Sequence, residues 1–195
     1  MAHRYFQPAA LGLVDLDSSQ SNRPRASPDR ALTAFAQLAT LRLNCRRAFI
    51  SFFDRENQYI VAEATKSLSL ETYHYTQPLD ELKYGATIAS RKTSLCGWTV
   101  STVIHLDEHT KDDSVFIVPD CSKDDRFKTK PYTTEGGFRF YAGVAIVSPA
   151  GYRIGSYCVI DDKPRDGVSQ EELSFLKDMA TTVRDTVSFC LVGVT

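Results

Sequence analysis

No stretch of the sequence stays apolar for the ~18 residues that a membrane span requires. The first twenty residues interrupt their apolar positions with His3, Arg4, Asp15 and Asp17, so no signal-peptide core is expected. A surplus of charge is missing as well. The 23 basic side chains are matched by 24 acidic ones, which leaves a net charge of −1 and no bulk attraction to nucleic acid or an anionic membrane. Cysteine is sparse and odd in number: Cys45, Cys96, Cys121, Cys158 and Cys190 are scattered, which argues against a disulfide framework and for reduced thiols in the cytoplasm. No internal repeat is visible. What is present suits one globular domain with a real core, since 43% of the 195 residues are hydrophobic.

Residues 1–26 read as an N-terminal extension and linker, the stretch 14–29 being rich in Ser, Asp, Pro and Arg without a period. Ser27-Pro28-Asp29 resembles a helix start, with Ser27 capping and Pro28 in the first helical position. Leu32, Phe35, Leu38 and Ala39 follow at helical spacing. The stretches 46–53 and 58–65 read as two strands around the turn Asp54–Asn57, with Tyr59, Val61 and Glu63 on one face. Residues 66–93 carry few periodic signals, and 94–100 fits either a helical turn or a short strand. A short buried strand over 115–120 is stopped by Pro119, and Asp120 or Ser122 is placed to cap a short helix through 122–127.

Two antiparallel strands are expected at about 139–147 and 153–161, around Pro149-Ala150-Gly151. Gly143, Gly155 and Ser156 are small residues inside them, which suits a pocket floor as well as a close packing contact. Ser169 and Glu172 form a capping box, and Leu173, Leu176, Met179, Ala180, Val183, Val187 and Leu191 make the stripe of a long last helix. Phe175, Met179 and Phe189 form a second apolar set on that helix, the expected face of a weak homodimer. The fold class is α+β, a mainly antiparallel sheet with flanking helices.

The segments 27–71, 95–100 ("LCGWTV"), 118–127 ("VPDCSKDDRF"), 139–146 ("RFYAGVAI") and 153–180 occur in an order that resembles a GAF domain, here bounded at 27–192. Within that family it more closely resembles the GAF module near the N-terminus of fungal hybrid histidine kinases. It implies a sheet with the first and last helices on one face and, on the other, loops and short helices closing over a small-ligand pocket. Within these motifs the candidate pocket residues are Cys96, Trp98, Asp120, Asp125, Phe127, Arg139, Tyr141 and Tyr157. The implied role is non-catalytic signal input to a two-component phosphorelay, where relatives run on into a kinase core. Nothing in the chain supplies a phosphoacceptor-histidine segment, an ATP-binding box or a receiver aspartate cluster.

The competing reading is a thiol enzyme or redox sensor of the free methionine-sulfoxide reductase type, using Cys96 with Cys121. A third is a dimerising scaffold with a vestigial pocket. His105 and His109, among Asp107, Glu108, Asp112 and Asp113, carry metal-ligand atoms but read as a solvated insertion, so no metal site is assigned. Asp120, Asp124, Asp125 and Arg126 read as capping and surface residues rather than acid–base catalysts. Asp162 and Arg165 are expected to pair in a surface turn. No residue selects among a cyclic nucleotide, a tetrapyrrole, a small acid or a gas, so the cofactor is unassigned.

Overall fold

The computed structural model describes residues 13–15, 24–101 and 114–192. Besides two single-turn 3-10 helices (Pro78–Asp80 and Arg91–Thr93), the described elements are, in order, β1 (Val14–Asp15), α1 (Arg30–Arg42), β2 (Arg47–Phe53), β3 (Asn57–Thr65), β4 (Thr87–Ser90), α2 (Leu95–Thr99), β5 (Val115–Val118), α3 (Pro131–Thr134), β6 (Phe140–Val147), β7 (Arg153–Asp161) and α4 (Gln170–Val192). Strand order is β1-β4-β3-β2-β7-β6-β5. Strands β2 to β7 form a six-stranded antiparallel sheet, and β1 adds two residues in parallel at the β4 edge. The stretch expected as linker therefore contributes to the sheet at its described end, where Arg25 also bridges Gly85. The loop carrying His105 and His109, and the side chain of Phe189, lie outside the described residues.

The helix α1 begins two residues later than its sequence suggested. Asp29 is the cap, accepting from the Leu32 N–H at 3.0 Å, while Ser27 accepts from the Asp29 N–H at 3.2 Å. The buried stripe is Leu32, Ala36, Ala39 and Leu43, and Leu38 and Leu41 stay exposed. Small Ala36 and Ala39 let the helix approach the sheet closely. Its end is a left-handed cap: Asn44 takes φ 52°, and the Cys45 N–H bonds the Thr40 carbonyl at 3.1 Å. At α4 the capping box forms reciprocally, with Ser169 N–H to Glu172 at 2.8 Å and Glu172 N–H to Ser169 Oγ at 3.1 Å. Leu173, Leu176, Ala180 and Val183 are buried. Phe175 and Met179 are half-buried against the same core, so two members of the expected dimer face are already partnered within the fold.

Both faces of the sheet are covered, which is why its strands are buried along nearly their whole length. The α1/α4 face holds the larger core, including Ile50, Phe52, Val61, Phe140, Val144, Tyr157 and Val159. The opposite face holds Phe49, Phe53, Ile60, Tyr141, Cys158 and Ile160 with α2 and the loops. A bulge sets the division in β3. Ile50 pairs with Ala62 but Ser51 with Ile60, leaving Val61 unpaired. Val61 and Glu63 consequently point to opposite faces, against the simple alternation read from sequence. Glu63 lies across from Phe49, on the face away from the long helices.

There Glu63 is sealed from solvent and pairs with buried Arg47. Its carboxylate also accepts the backbone N–H groups of Lys83 (2.9 Å), Tyr84 (2.8 Å) and Gly85 (2.7 Å). One buried charge thus holds the irregular segment before β4 in place, with its lone pairs satisfied. Gly85 is required at this point: its φ is +64°, and a Cβ would lie 2.1 Å from the Arg25 carbonyl oxygen.

Candidate functional site

A cavity of about 470 Å³ opens on the face away from the long helices. Its floor comes from the sheet: Phe49 of β2, Gln58 and Ile60 of β3, Ala89 of β4 and Ile160 of β7. One wall is α2 with Leu95 and Cys96. The other comprises Tyr84, Tyr132 and Phe138. Phe138 centres the aromatic wall, 6.5 Å from Phe49, 6.3 Å from Tyr84 and 6.1 Å from Tyr132, with which it stacks. Lys83 ties the two loops together, its ammonium donating to the Gly136 carbonyl and lying 5.3 Å from the Phe138 ring. The exposed lining residues Ser90, Thr93 and Pro131 mark the rim, with half-buried Ser94 and Lys130 beside them. The interior is apolar, and the polar groups are Gln58, Cys96 and the rim. This is the composition of a small-molecule pocket.

Behind the α2 wall lies a buried polar patch. Ser94 caps α2 through the Gly97 N–H at 2.9 Å. The Thr99 and Tyr141 hydroxyls are 2.6 Å apart. Gly143 makes room for that pair, because a Cβ there would meet the Tyr141 hydroxyl at 2.4 Å and Thr99 Oγ1 at 2.7 Å. The Cys96 and Cys158 sulfurs are 3.5 Å apart. The hydrogen bond with Cys158 outweighs burial and brings the Cys96 thiol from 9.0 to about 7. Burial drives the Cys158 thiol and the Tyr141 hydroxyl well above their usual values.

Of the eight pocket residues expected from sequence, Cys96 alone lines the cavity. Tyr157 lies on the opposite face of the sheet, where its hydroxyl donates to the Phe35 carbonyl of α1 at 2.6 Å. Tyr141 is turned toward α2. Trp98 and Phe127 pack with Phe116 beneath Arg126, in the same buried cluster as the cavity residues but outside the cavity lining. Asp120 accepts from the Ser122 N–H at 3.0 Å, Asp125 pairs on the surface with Lys128, and Arg139 donates to the Thr133 carbonyl at 3.0 Å. The segment 122–127 forms turns rather than a helix. Cys121 is buried, its thiol pushed up to about 12 chiefly by desolvation, and the sulfur hydrogen-bonded to Cys96 is that of Cys158. The Cys96–Cys121 pair on which the competing thiol reading rested is not formed.

The last hairpin is likewise less of a floor than its small residues implied. Gly155 is small because a Cβ would lie 2.5 Å from the Ser51 carbonyl oxygen of the neighbouring strand, a packing reason. Arg165 does not pair with Asp162. It binds Asp161 at 2.6 Å and the Leu43 and Asn44 carbonyls at 2.7 Å, joining the end of β7 to the end of α1. The lining residues Tyr84 and Ala89 sit in the stretch 66–93, which has no period to read. Phe49 and Ile60 did carry a signal, as apolar residues alternating with others that face the long helices.

The sheet, the helices on one face and the enclosed cavity on the other define an α+β module of the sensory and regulatory class. The chain belongs to the GAF domain family, whose model matches residues 27–186. Among solved structures, the chain is similar to the GAF domain of an Acinetobacter phosphoenolpyruvate-protein phosphotransferase, with a TM-score of 0.57, 13% identity and 85% of each chain covered. It is also similar to a domain of a putative two-component sensor histidine kinase protein from Sinorhizobium meliloti, with a TM-score of 0.50, 15% identity, and 82% of this chain and 90% of that one covered. A cyclic di-GMP phosphodiesterase of Pseudomonas aeruginosa is 39% identical over 70 residues, 35% of this chain and 12% of that protein's length.

Proposed function

We propose that this module is a non-catalytic input element, of the kind that feeds a two-component phosphorelay, and that its cavity takes a small, mainly apolar molecule. The observation that carries the reading is the cavity itself, about 470 Å³, apolar within and aromatic along one wall, with polar groups at Gln58, Cys96 and the rim. The similarity to the S. meliloti domain and the resemblance to fungal hybrid kinases support the phosphorelay context. Strands β2 and β7 contribute to the cavity side through Phe49 and Ile160 and to the long-helix side through Ile50 and Val159. A ligand that favours one arrangement of this shared sheet biases how α1 and α4 sit on it, by linkage.

Native mass spectrometry of the purified chain tests the reading. A bound small molecule is expected, displaced when the cavity is filled by Ile60→Trp while the fold persists by circular dichroism. If no ligand co-purifies and a small-molecule library shows no binding that Ile60→Trp removes, the input reading fails.

A further inference from the structure

The geometry points to a second chemical site: Cys96 and Cys158 form a peroxide-reactive dithiol that closes to an intramolecular disulfide. The two sulfurs are 3.5 Å apart, although the residues are 62 positions apart in sequence. Their surroundings differ. Cys96 is buried but belongs to the cavity wall, so a small hydroperoxide in the cavity lies against the turn of α2 that carries it. Cys158 is fully buried in the middle of β7, between Phe49 of β2 and Gly143 of β6. Cys96 is therefore the thiol on the cavity side, placed to attack a peroxide there, and Cys158 is placed to resolve the product from behind. The thiolate of Cys96 is favoured by its hydrogen bond with Cys158, as above.

The chemistry balances with a hydroperoxide as the oxidant. The Cys96 thiolate attacks the distal peroxide oxygen, an S–O bond forms and the O–O bond breaks. The departing alkoxide or hydroxide takes up a proton equivalent to the one the thiol lost, giving an alcohol or water and a sulfenic acid. The Cys158 sulfur then attacks the Cys96 sulfur, an S–S bond forms, and the sulfenic oxygen leaves as water with the Cys158 proton. Two thiols lose two hydrogen atoms and one hydroperoxide is reduced. Bond formation brings the sulfurs to about 2.05 Å, a closure of about 1.5 Å. The five-residue α2 is the short element here, and Cys158 is held in the sheet, so α2 makes the movement. Leu95 and Cys96 are cavity wall, so oxidation alters the cavity whatever occupies it. The site does not depend on the proposed ligand.

The test treats the whole chain with one to a few equivalents of hydrogen peroxide at neutral pH, followed by non-reducing peptide mapping. The expected product is a Cys96–Cys158 cross-link with loss of two hydrogens, reversed by dithiothreitol. In Cys158→Ser, verified as folded and keeping a donor to Cys96, dimedone should trap a sulfenic acid on Cys96, and in Cys158→Ala, which lacks that donor, the trapping should be slower. In Cys96→Ser the cross-link should vanish. Cys45 and Cys121, both buried with thiols pushed up to about 12 by desolvation, are internal references that should react at least about tenfold more slowly. A bond from Cys96 to any other cysteine overturns the proposal. So does oxidation of Cys96 without cross-linking in the wild type, or a chain left unreacted while glutathione in the same tube is consumed.

Discussion

Glu63 is a carboxylate inside the sheet, and the segment that carries Tyr84 to the cavity depends on it. It neutralises Arg47 and accepts three consecutive backbone N–H groups, so no polar atom of the arrangement is left unpaired by its burial. Removing one partner is much worse than never having had the pair, because the guanidinium stays behind without its counter-charge. Glu63→Ala is expected to cost about 3–5 kcal/mol in urea denaturation. It should also weaken any ligand that contacts Tyr84, since the loop loses its anchor. Glu63→Gln, which preserves the shape, should cost less. A Glu63→Ala cost below about 1 kcal/mol would mean that water or a rearranged loop replaces the carboxylate.

Among the elements, the turn joining β2 to β3 shows how a short polar segment fixes a hairpin and makes it sensitive to acid. Burial raises the Asp54 pKa, but hydrogen bonds from the Tyr59 hydroxyl (2.6 Å) and the Asn57 (2.6 Å) and Glu56 (2.8 Å) N–H groups outweigh it and hold the carboxyl below its usual 3.8. A group whose folded pKa is depressed contributes stability fully above its unfolded value and loses it as pH falls through the folded value. The Asp54 contribution is therefore intact at neutral pH and disappears in acid, below pH 3.8. Tyr59→Phe removes the hydroxyl that donates to it, so the Asp54 carboxyl should titrate at higher pH and the turn should loosen earlier in acid. Carbon-13 titration of the Asp54 carboxyl reads this directly, and an unchanged titration would show that the two backbone donors suffice.

At the scale of the whole molecule, the sheet separates two tasks. One face is committed to α1 and α4, and the other to the cavity and the thiol pair, with Arg165 joining the ends of β7 and α1. Among the described residues no helix is long and apolar enough to cross a membrane. The input reading carries a consequence for catalysis: incubation with labelled ATP should leave the chain unlabelled, because the sequence supplies no phosphoacceptor segment and no nucleotide-binding box. Stoichiometric labelling of any of its four histidines would overturn that assignment.

The sequence by itself determined the elements whose signals are local. The Ser169–Glu172 capping box, the strands before and after Pro149-Ala150-Gly151, and the α+β order with its GAF resemblance were all legible, because caps, turns and period-two runs act over a few residues. Tertiary structure alone decided the facing. The unpaired Val61 sends Glu63 to the opposite side of the sheet from where alternation would put it, and Tyr157 turns toward α1 rather than the cavity. The cavity draws on β2, β3, β4, α2, α3 and β7, and the two thiols meet across 62 positions. Contacts between distant segments leave no periodic trace in a single chain. They arise only when buried apolar area on both faces of the sheet fixes which side chains are left to meet.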